Sequence, residues 1–446
     1  MKYDIAIIGA GPGGYTAAFK AADEGLSVVI FEKDRFGGTC LNRGCVPTKA
    51  LLKSATLLSE IRNAGTFGIS VTEVSHDMQA MAMRRDQIVE RLRADLEKAV
   101  KAKKITLVTG QAVITSPQTV ECGGEEYQAQ NIIIATGSQV SLPPIPGIDS
   151  PQVITSNQLL ERQEIDYQSL TIIGAGVIGV ECASIYLALG RPVTMIEMAD
   201  RILPTMDPEI AQRLTAHLKK RGAVIVTGAR VSAIEGDTVC YLDRKGQQCR
   251  CSSEAILVAT GRKASVEGLL GEGVSLEVSR GIVADGNGRT SAPHIYAIGD
   301  AVSGNIQLAH VAMAQGENVI DIIQGRQPSV DMKTVPSCLY TDPEAASVGL
   351  YEQQAREQGI SVRCSKSVTG GNGKCLIENA ESGYVKLVMD ENDVIIGGQM
   401  VCPHATEMIG EIALAVEKKL TAGQLAEVIH PHPTVNEMIA QAAGKR

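Results

Sequence analysis

The chain has 446 residues, which is enough for two to four domains of ordinary size. Its composition, 44% apolar and 21% charged, is typical of globular proteins, and its net charge of −8 with interspersed signs excludes the basic face of a nucleic-acid-binding protein. No apolar stretch reaches the roughly 18 residues of a membrane span, and the N-terminus lacks a secretory signal pattern. We therefore expect a soluble, cytoplasmic protein with neither a membrane nor a nucleic acid as partner.

The first predicted element is a strand–turn–helix–strand unit that begins near Tyr3. Gly9-Ala-Gly11-Pro-Gly-Gly14 follows an apolar strand, opens an Ala-rich helix and precedes a second strand that ends in Glu32. In this context the glycines let the backbone approach a pyrophosphate, and the helix N-terminus attracts its charge. Glu32 can accept hydrogen bonds from a ribose. The unit predicts a dinucleotide site, and the alternative is a turn that serves close packing alone.

Two cysteines follow, in Gly37-Gly-Thr-Cys40-Leu-Asn-Arg-Gly-Cys45-Val-Pro-Thr-Lys49. Residues five apart in an ideal helix lie about 7.5 Å apart along its axis, whereas a disulfide usually needs Cα atoms within about 6.8 Å. A Cys40–Cys45 bond therefore requires a distorted turn, which Gly44 and the glycines before Cys40 would allow. The functional interpretation is a redox pair, and the alternatives are two unpaired thiols or a structural disulfide, which is unusual in the cytoplasm.

The other cysteines give a weaker signal. The total of eleven is odd and does not suit a secreted disulfide framework. Cys182 and Cys402 lie in apolar runs, where a cysteine is ordinarily a small buried hydrophobe. Cys249-Arg-Cys251 has no nearby His or second Cys pair, so we predict no metal site.

A charged segment, 84–104, has apolar residues spaced by four and is predicted to be helical. A second strand–turn–helix–strand unit follows, with Gly174-Ala-Gly176-Val-Ile-Gly179 and a strand that ends in Glu197 at the same separation as in the first unit. A carboxylate at this position favours the ribose hydroxyls of NAD and repels the additional phosphate of NADP. The nearest following basic residue is Arg201, so the unit predicts an NAD site.

Short motifs mark the ends of three further predicted strands: Ala-Thr-Gly137, Ala-Thr-Gly261 and Tyr296-Ala-Ile-Gly-Asp300. Beyond about residue 330 there is no further glycine turn, and a hairpin (383–401) and two helices (407–419 and 421–429) are predicted. The pattern predicts an α/β protein with two Rossmann-like domains, the second inserted into the first, and a C-terminal α+β domain. The expected boundaries are 1–146 with 262–330 for the first domain, 147–261 for the second and 331–446 for the third.

The segment Gly37–Lys49 closely resembles the redox-active segment of the pyridine nucleotide–disulfide oxidoreductases. The resemblance extends along the whole chain, through both Ala-Thr-Gly turns and Tyr296–Asp300 to His430-Pro-His432-Pro-Thr-Val-Asn-Glu437 near the C-terminus. Within the family, Leu41-Asn42 and Lys49-Ala-Leu-Leu look most like the members that oxidise protein-bound dihydrolipoyl groups. This implies an enzyme that passes electrons from the dihydrolipoyl group through the cysteine pair and FAD to NAD.

The resemblance also implies a role for each matching residue. Cys40 exchanges with the substrate sulfur, and Cys45 passes electrons to the flavin. Lys49 lies near the reactive nitrogen of the flavin and pairs with Glu181. The residues expected to bind FAD are Gly9, Gly11, Gly14, Glu32, Lys49, Gly137, Asp300 and Ala309, and those expected to bind NAD are Gly174, Gly176, Gly179, Glu197 and Gly261.

By the same resemblance, His432 is the acid/base for the substrate thiol and Glu437 orients it, although the run of His and Pro alone would indicate only a rigid loop. A histidine suits this role because it titrates near neutral pH. His430 is expected to be structural, and the peptide bond before Pro433 is a candidate for the cis form. In the family this base reaches the active site of the other subunit, which implies a homodimer with shared sites and 331–446 as the interface domain.

The implied partner is a lipoyl domain of a 2-oxo acid dehydrogenase complex or the glycine-cleavage carrier. One departure from many relatives is Arg43, whose charge would lower a thiol pKa. The alternatives are a sister reductase for glutathione, a related thiol or mercuric ion, and a redox-responsive flavoprotein without turnover. Glu197 disfavours the NADPH-dependent reductases, and the absence of a C-terminal cysteine pair disfavours the mercuric one.

Overall fold

The first part of the chain forms a sheet in which β1 pairs in parallel with β2 on one side and with β6 on the other. The fold is that of a computed structural model that describes residues 2–380 and 382–444. The strands of this part are β1 (Lys2–Ile8), β2 (Val28–Glu32), β3 (Thr106–Thr109), β4 (Ala112–Ser116), β5 (Thr119–Cys122), β6 (Glu125–Ile134) and β7 (Ser138–Val140). The helices are α1 (Pro12–Asp23), α2 (Gly38–Arg43), α3 (Cys45–Arg62) and α4 (Met78–Ala102), with a short 3-10 helix at Ala64–Phe67.

The strand order of this sheet, β3-β2-β1-β6-β5-β4, reverses at β1. Ligands of such folds bind outside the carboxyl ends of the strands at the point of reversal, which is where the first glycine turn lies. Helix α4 begins earlier than the sequence predicted, because the Asp77 side chain caps it by accepting hydrogen bonds from the N–H groups of Gln79 and Ala80.

A second parallel sheet has the order β11-β10-β9-β15-β8, with the second glycine turn between β9 and α6. Nearly all of α6 is buried, which fits a helix of apolar and small residues on every face. The elements are β8 (Val153–Thr155), α5 (Ser156–Glu161), β9 (Leu170–Ile173), α6 (Val177–Ala188), β10 (Val193–Glu197), α7 (Pro208–Lys220), β11 (Val224–Thr227), β12 (Arg230–Glu235), β13 (Thr238–Leu242), β14 (Gln248–Ser252) and β15 (Ala255–Val258). Strands β12, β13 and β14 form a separate antiparallel sheet.

The chain then returns to the first sheet. β16 (Arg262–Ala264) pairs with β7, β17 (Ile295–Ala297) pairs with β6, and α8 (Ala309–Ile323) packs on α1. This approach is close because a Cβ on Gly316 would lie 2.6 Å from the carbonyl oxygen of Gly13. The crossing of α1 and α8 therefore depends on glycine.

The C-terminal part is an antiparallel sheet of order β18-β19-β22-β21-β20 with helices against it. Its elements are β18 (Ser337–Leu339), β19 (Ala345–Gly349), α9 (Glu352–Glu357), β20 (Arg363–Val368), α10 (Gly373–Ile377), β21 (Tyr384–Met389), β22 (Ile395–Val401), α11 (Ala405–Glu417), α12 (Ala422–Ala426) and α13 (Glu437–Gly444). The predicted hairpin is confirmed as β21–β22. The second predicted helix is shorter than expected, since α12 ends at Ala426.

A buried ion pair joins this part to the second dinucleotide unit. Nζ of Lys386 on β21 lies 3.3 Å from Oδ2 of Asp207, which caps α7, and both side chains are 5% exposed or less. Oε2 of Glu209 lies 3.4 Å from the same Nζ, so two carboxylates compensate the buried charge of Lys386. Among the residues that the structure describes, no helix combines the length and apolar composition that a membrane crossing requires.

The second glycine turn provides a matched test of close packing. A Cβ on Gly179 would lie 2.2 Å from the carbonyl oxygen of Gly174, whereas a Cβ on Gly176 would meet no atom within 4 Å. We expect Gly179→Ala to lower the free energy of unfolding by about 1–3 kcal/mol and Gly176→Ala to change it by less than about 0.5 kcal/mol. Denaturant unfolding measures both, and equal destabilisation would contradict the packing argument.

Candidate active site

A cavity of about 1250 Å³ lies at the carboxyl ends of the first sheet. It exceeds the roughly 300–1,000 Å³ of pockets for drug-sized ligands, so its size suits a dinucleotide. Of the residues expected to bind FAD, those that line it are Gly9, Gly11, Glu32, Lys49, Gly137, Asp300 and Ala309. Gly14 does not line it, because this glycine faces the turn itself: a Cβ there would lie 1.9 Å from the carbonyl oxygen of Gly9.

The first glycine turn is held by the carboxylate at the end of β2. Oε2 of Glu32 accepts a hydrogen bond from the N–H of Ala10 (2.9 Å), and Oε1 accepts one from the N–H of Asp34 (2.9 Å). Gly9 has a positive φ of 103°, which favours glycine. Each carboxylate oxygen keeps a free lone pair, so Glu32 can fix the turn and still accept from a ribose hydroxyl.

Cys40 and Cys45 form a disulfide on the wall of this cavity, which confirms the pairing expected from the resemblance. Their Cα atoms are 4.7 Å apart, much closer than in a continuous helix, because α2 ends before Gly44 and α3 begins after it. A Cβ on Gly44 would lie 2.9 Å from the carbonyl oxygen of Thr39 and 3.1 Å from Cα of Cys40. Glycine therefore allows the helix break that the disulfide requires.

Two neighbours support the disulfide loop. The buried Asn42 amide donates to the carbonyl oxygens of Phe36 (3.0 Å) and Gly38 (2.9 Å). Arg43 pairs with the carboxylates of Asp34 and Glu161. These two negative charges offset the positive charge of Arg43 beside the cysteines.

One turn along α3, Lys49 pairs with Glu181 of α6, as expected. Its Nζ lies 3.0 and 2.9 Å from the two carboxylate oxygens, and the Glu181 side chain is only 5% exposed. Oε1 of Glu181 also accepts from the N–H of Tyr340 (3.2 Å), whose ring centroid lies 4.3 Å from Nζ of Lys49. The pair thus joins the disulfide helix, the second dinucleotide unit and the C-terminal part.

The cavity wall also contains a hydrogen-bond network that the sequence analysis did not predict. The guanidinium of Arg262 donates to Oγ (2.8 Å) and the carbonyl oxygen (2.7 Å) of Ser138, and Oγ of Ser138 donates to Asp300 (2.6 Å). Burial lowers the pKa of Arg262, and the charge of Asp300 opposes this. The signal was available, because Ser138 and Arg262 each directly follow one of the repeated Ala-Thr-Gly turns.

The fit of a cofactor to this cavity can be tested on its polar atoms. Oγ1 of Thr136 and Oδ1 of Asn157 are buried and have no hydrogen-bond partner within the described part of the chain. Both residues line the cavity. A buried polar atom without a partner costs about 1–3 kcal/mol, so a ligand with polar groups that fills this space would stabilise both. The residues present therefore fit a flavin dinucleotide.

The second glycine turn repeats the construction of the first. The carboxylate of Glu197 accepts from the N–H groups of Ala175 (2.6 Å) and Ala199 (2.7 Å). The open space at Gly176 leaves the helix N-terminus accessible to a phosphate. Arg201 donates to the carbonyl oxygens of Pro204 (3.0 Å) and Met206 (3.4 Å), so its charge is held against its own loop. Gly174, Gly176, Gly179, Glu197 and Gly261 lie outside the cavity that contains the disulfide.

Near the C-terminus, Nδ1 of His432 lies 2.9 Å from Oε1 of Glu437. The Thr434 N–H and the His432 ring hold the pKa of Glu437 below its usual value, so this carboxylate is ionised at neutral pH. The peptide bond before Pro433 is cis, as anticipated. The His432 side chain is 79% exposed and does not line the cavity of its own chain.

Two thiols other than the disulfide pair line the same cavity. Burial raises the pKa of Cys182 to about 12 and that of Cys338 to about 11. A thiolate is the reactive form, so both are poor nucleophiles at neutral pH. Within residues 2–380 and 382–444, no group of three or more His, Cys, Asp or Glu side chains is arranged to hold a metal ion.

A disulfide on the wall of a dinucleotide-sized cavity, together with a second dinucleotide turn outside that cavity, defines a nucleotide-dependent disulfide oxidoreductase. The chain belongs to the pyridine nucleotide-disulphide oxidoreductase family, whose model matches residues 3–316, while the dimerisation domain of that family matches residues 335–443. Enzymes of this kind use FAD and NAD, and the dimerisation domain supports a homodimer.

Similar proteins extend over the whole chain. Dihydrolipoyl dehydrogenases of Bacillus subtilis and Chlamydia muridarum are each 39% identical over 99% of this chain, covering 97% and 96% of those proteins. Among solved structures, the HOCl-induced flavoprotein disulfide reductase RclA of Escherichia coli, as its Cu(II) complex, has a TM-score of 0.89 at 28% identity, with 99% of each chain covered. LpdA of Mycobacterium tuberculosis has a TM-score of 0.89 at 26% identity, with 99% of each chain covered.

The thiol pKa values predict selective labelling. After reduction by a dithiol at pH 8, we expect iodoacetamide to modify Cys40 much faster than Cys338, of which about one molecule in a thousand is a thiolate. Cys182, with its higher pKa, provides a second comparison. Peptide mass spectrometry over a time course measures the rates, and labelling of Cys338 as fast as Cys40 would contradict the assignment of chemistry to the disulfide pair.

Proposed function

We propose that this protein is a dihydrolipoyl dehydrogenase that oxidises protein-bound dihydrolipoyl groups and reduces NAD. The observation that carries the proposal is the Cys40–Cys45 disulfide on the wall of a dinucleotide-sized cavity, in a chain 39% identical over its length to dihydrolipoyl dehydrogenases. The disulfide reductase of similar fold is less similar in sequence, at 28% identity, which disfavours a sister reductase.

The first half of the reaction is thiol–disulfide exchange. A substrate thiolate attacks Sγ of Cys40, which forms a mixed disulfide and releases Cys45 as a thiolate. The second substrate thiol loses its proton to a base and attacks the substrate sulfur of the mixed disulfide, releasing Cys40. The substrate leaves as a cyclic disulfide, and the two electrons that it gave up remain on the cysteine pair.

The second half needs a cofactor beside the cysteines. When FAD is bound, it supplies the two-electron relay between the cysteine pair and NAD. Lys49, fixed by Glu181, presents a positive charge to the cavity, and Asp300, fixed by Ser138, presents hydrogen-bond acceptors. Lys49 would stabilise negative charge that develops in the cavity, and Asp300 would orient the cofactor by accepting its hydrogen bonds.

The base is assigned to His432, and Glu437 fixes its orientation through Nδ1. Because His432 is exposed and lies outside the cavity of its own chain, it is proposed to act in the site of the partner subunit. Each active site would then need two chains. This extends the homodimer to one with shared active sites.

The separate sheets support a proposed division into domains. We assign FAD to 1–146 with 262–330, NAD to 147–261 and the dimer interface to 331–446. The proposed partner is a lipoyl domain of a 2-oxo acid dehydrogenase complex or the glycine-cleavage carrier, and the proposed location is the cytoplasm.

Steady-state turnover is the first test. With dihydrolipoamide as donor, we expect NAD to be used roughly a hundredfold better than NADP, because Glu197 repels the additional phosphate and Arg201 is held by its own loop. Absorbance of the reduced nucleotide measures both rates. Activity with NADPH and another disulfide, and none with dihydrolipoamide, would favour a sister reductase.

Cys45→Ser separates an enzyme from a redox-responsive binding protein. We expect it to lower dihydrolipoamide oxidation roughly a thousandfold or more, since the exchange step has no leaving thiolate. Reduction of an artificial one-electron acceptor by NADH should persist, because it does not need the disulfide. Cys402→Ser, at a buried cysteine that does not line the cavity, is the control. Retention of full lipoyl turnover in Cys45→Ser would contradict the mechanism.

A further inference from the structure

Glu411 of α11 makes two polar contacts with the loop that carries His432. Oε1 of Glu411 lies 2.8 Å from Nε2 of His430, and its Oε2 accepts a hydrogen bond of 2.7 Å from the amide of Asn436. These contacts lie on both sides of His432. We call Glu411, His430 and Asn436 the loop clamp.

The clamp holds the chain next to both members of the His432–Glu437 pair. His430 is two residues before His432, and Asn436 is next to Glu437, which orients His432. Nδ1 of His430 donates to the carbonyl oxygen of Val428 (2.8 Å), since a carbonyl can only accept. The His430 side chain is therefore held at both nitrogens and is only 6% exposed.

Between the two clamp contacts the loop has supports of its own: Thr434 donates to Oε2 of Glu437 (2.9 Å) and to the carbonyl oxygen of Pro431 (2.8 Å), and Val435 is buried. The amide of Asn372 donates to the carbonyl oxygen of Thr434 (3.0 Å), and the His432 side chain itself is 79% exposed. An exposed base can be precise only if its backbone is fixed, because misplacement by about 1 Å can cost a hundredfold in rate. Glu411 is also adjacent to Gly410, which lines the cavity, so the clamp connects the loop to the wall of the chain's own active site.

We propose that Glu411 is a positioning residue for His432, acting through His430 and Asn436. This rests on the proposed function, and it gives His430 a role in catalysis by geometry rather than by proton transfer. Glu411 affects the lipoyl half of the reaction and leaves the nucleotide half unchanged, because only the lipoyl half uses His432.

The test compares Glu411→Ala with Glu411→Gln. Alanine removes both contacts. Glutamine keeps an oxygen that can accept from the Asn436 amide. Its own amide can donate to Nε2 of His430 when the proton of that ring is on Nδ1, where it makes the Val428 contact. We expect Glu411→Ala to lower kcat for dihydrolipoamide oxidation by tenfold or more. The loss should not exceed the roughly 10²–10⁴-fold that an acid/base residue contributes. Glu411→Gln should retain most of the wild-type kcat.

Two controls exclude a general structural effect. NADH reduction of an artificial acceptor should stay within twofold of wild type in every variant, since it bypasses His432. Glu417→Ala changes another glutamate of α11 that makes no hydrogen bond or ion pair elsewhere in the described chain, and it should leave both activities unchanged. Asn436→Ala removes one arm of the clamp and should give an intermediate loss in the lipoyl half only, which keeps the test valid if Glu411→Ala fails to fold.

Three results would overturn the proposed role of Glu411: equal losses in dihydrolipoamide oxidation and in the NADH assay, no loss in Glu411→Ala, or no rescue by Glu411→Gln. If Glu411→Ala does not fold, an unaffected Asn436→Ala would overturn it. A wild-type protein that is inactive with dihydrolipoamide but active in the NADH assay would instead overturn the proposed function.

Discussion

The ion pair between Lys49 and Glu181 is the interaction on which the active site depends. It connects α3, which carries Cys45 at its first position, to α6, which opens at the second glycine turn. Glu181 also receives the backbone N–H of Tyr340 from the C-terminal part. Because the carboxylate is almost fully buried, its charge needs Lys49 as partner, and this requirement fixes how three segments of the chain meet.

The cavity beside this pair contains reactive and unreactive cysteines. The two cysteines of the disulfide are brought together by a helix break that Gly44 permits, while the other two thiols of the cavity are kept protonated by burial. One pair of sulfur atoms is thereby selected from the four cysteines that line the cavity. The selection depends on backbone geometry and desolvation.

Features set by a few consecutive residues could be predicted from the sequence. The two glycine turns, the helix break at Gly44 and the β21–β22 hairpin follow from local backbone requirements. The resemblance added the pairing of Lys49 with Glu181. By contrast, the contacts of Lys386 with Asp207 and of Glu411 with His430 join separate elements of the fold. No local period or motif encodes such contacts, since they exist only once the sheets have packed.

The carboxylate of Glu197 has a consequence for how this protein can evolve. It would recognise the ribose, and it also accepts the backbone N–H groups of Ala175 and Ala199, which close the second turn. A substitution that admits a phosphorylated coenzyme leaves those two groups without an acceptor, at about 1–3 kcal/mol for each one that is buried. A lineage that changes its coenzyme must therefore first accumulate stabilising substitutions elsewhere, so the choice of coenzyme is inherited together with the stability of the fold.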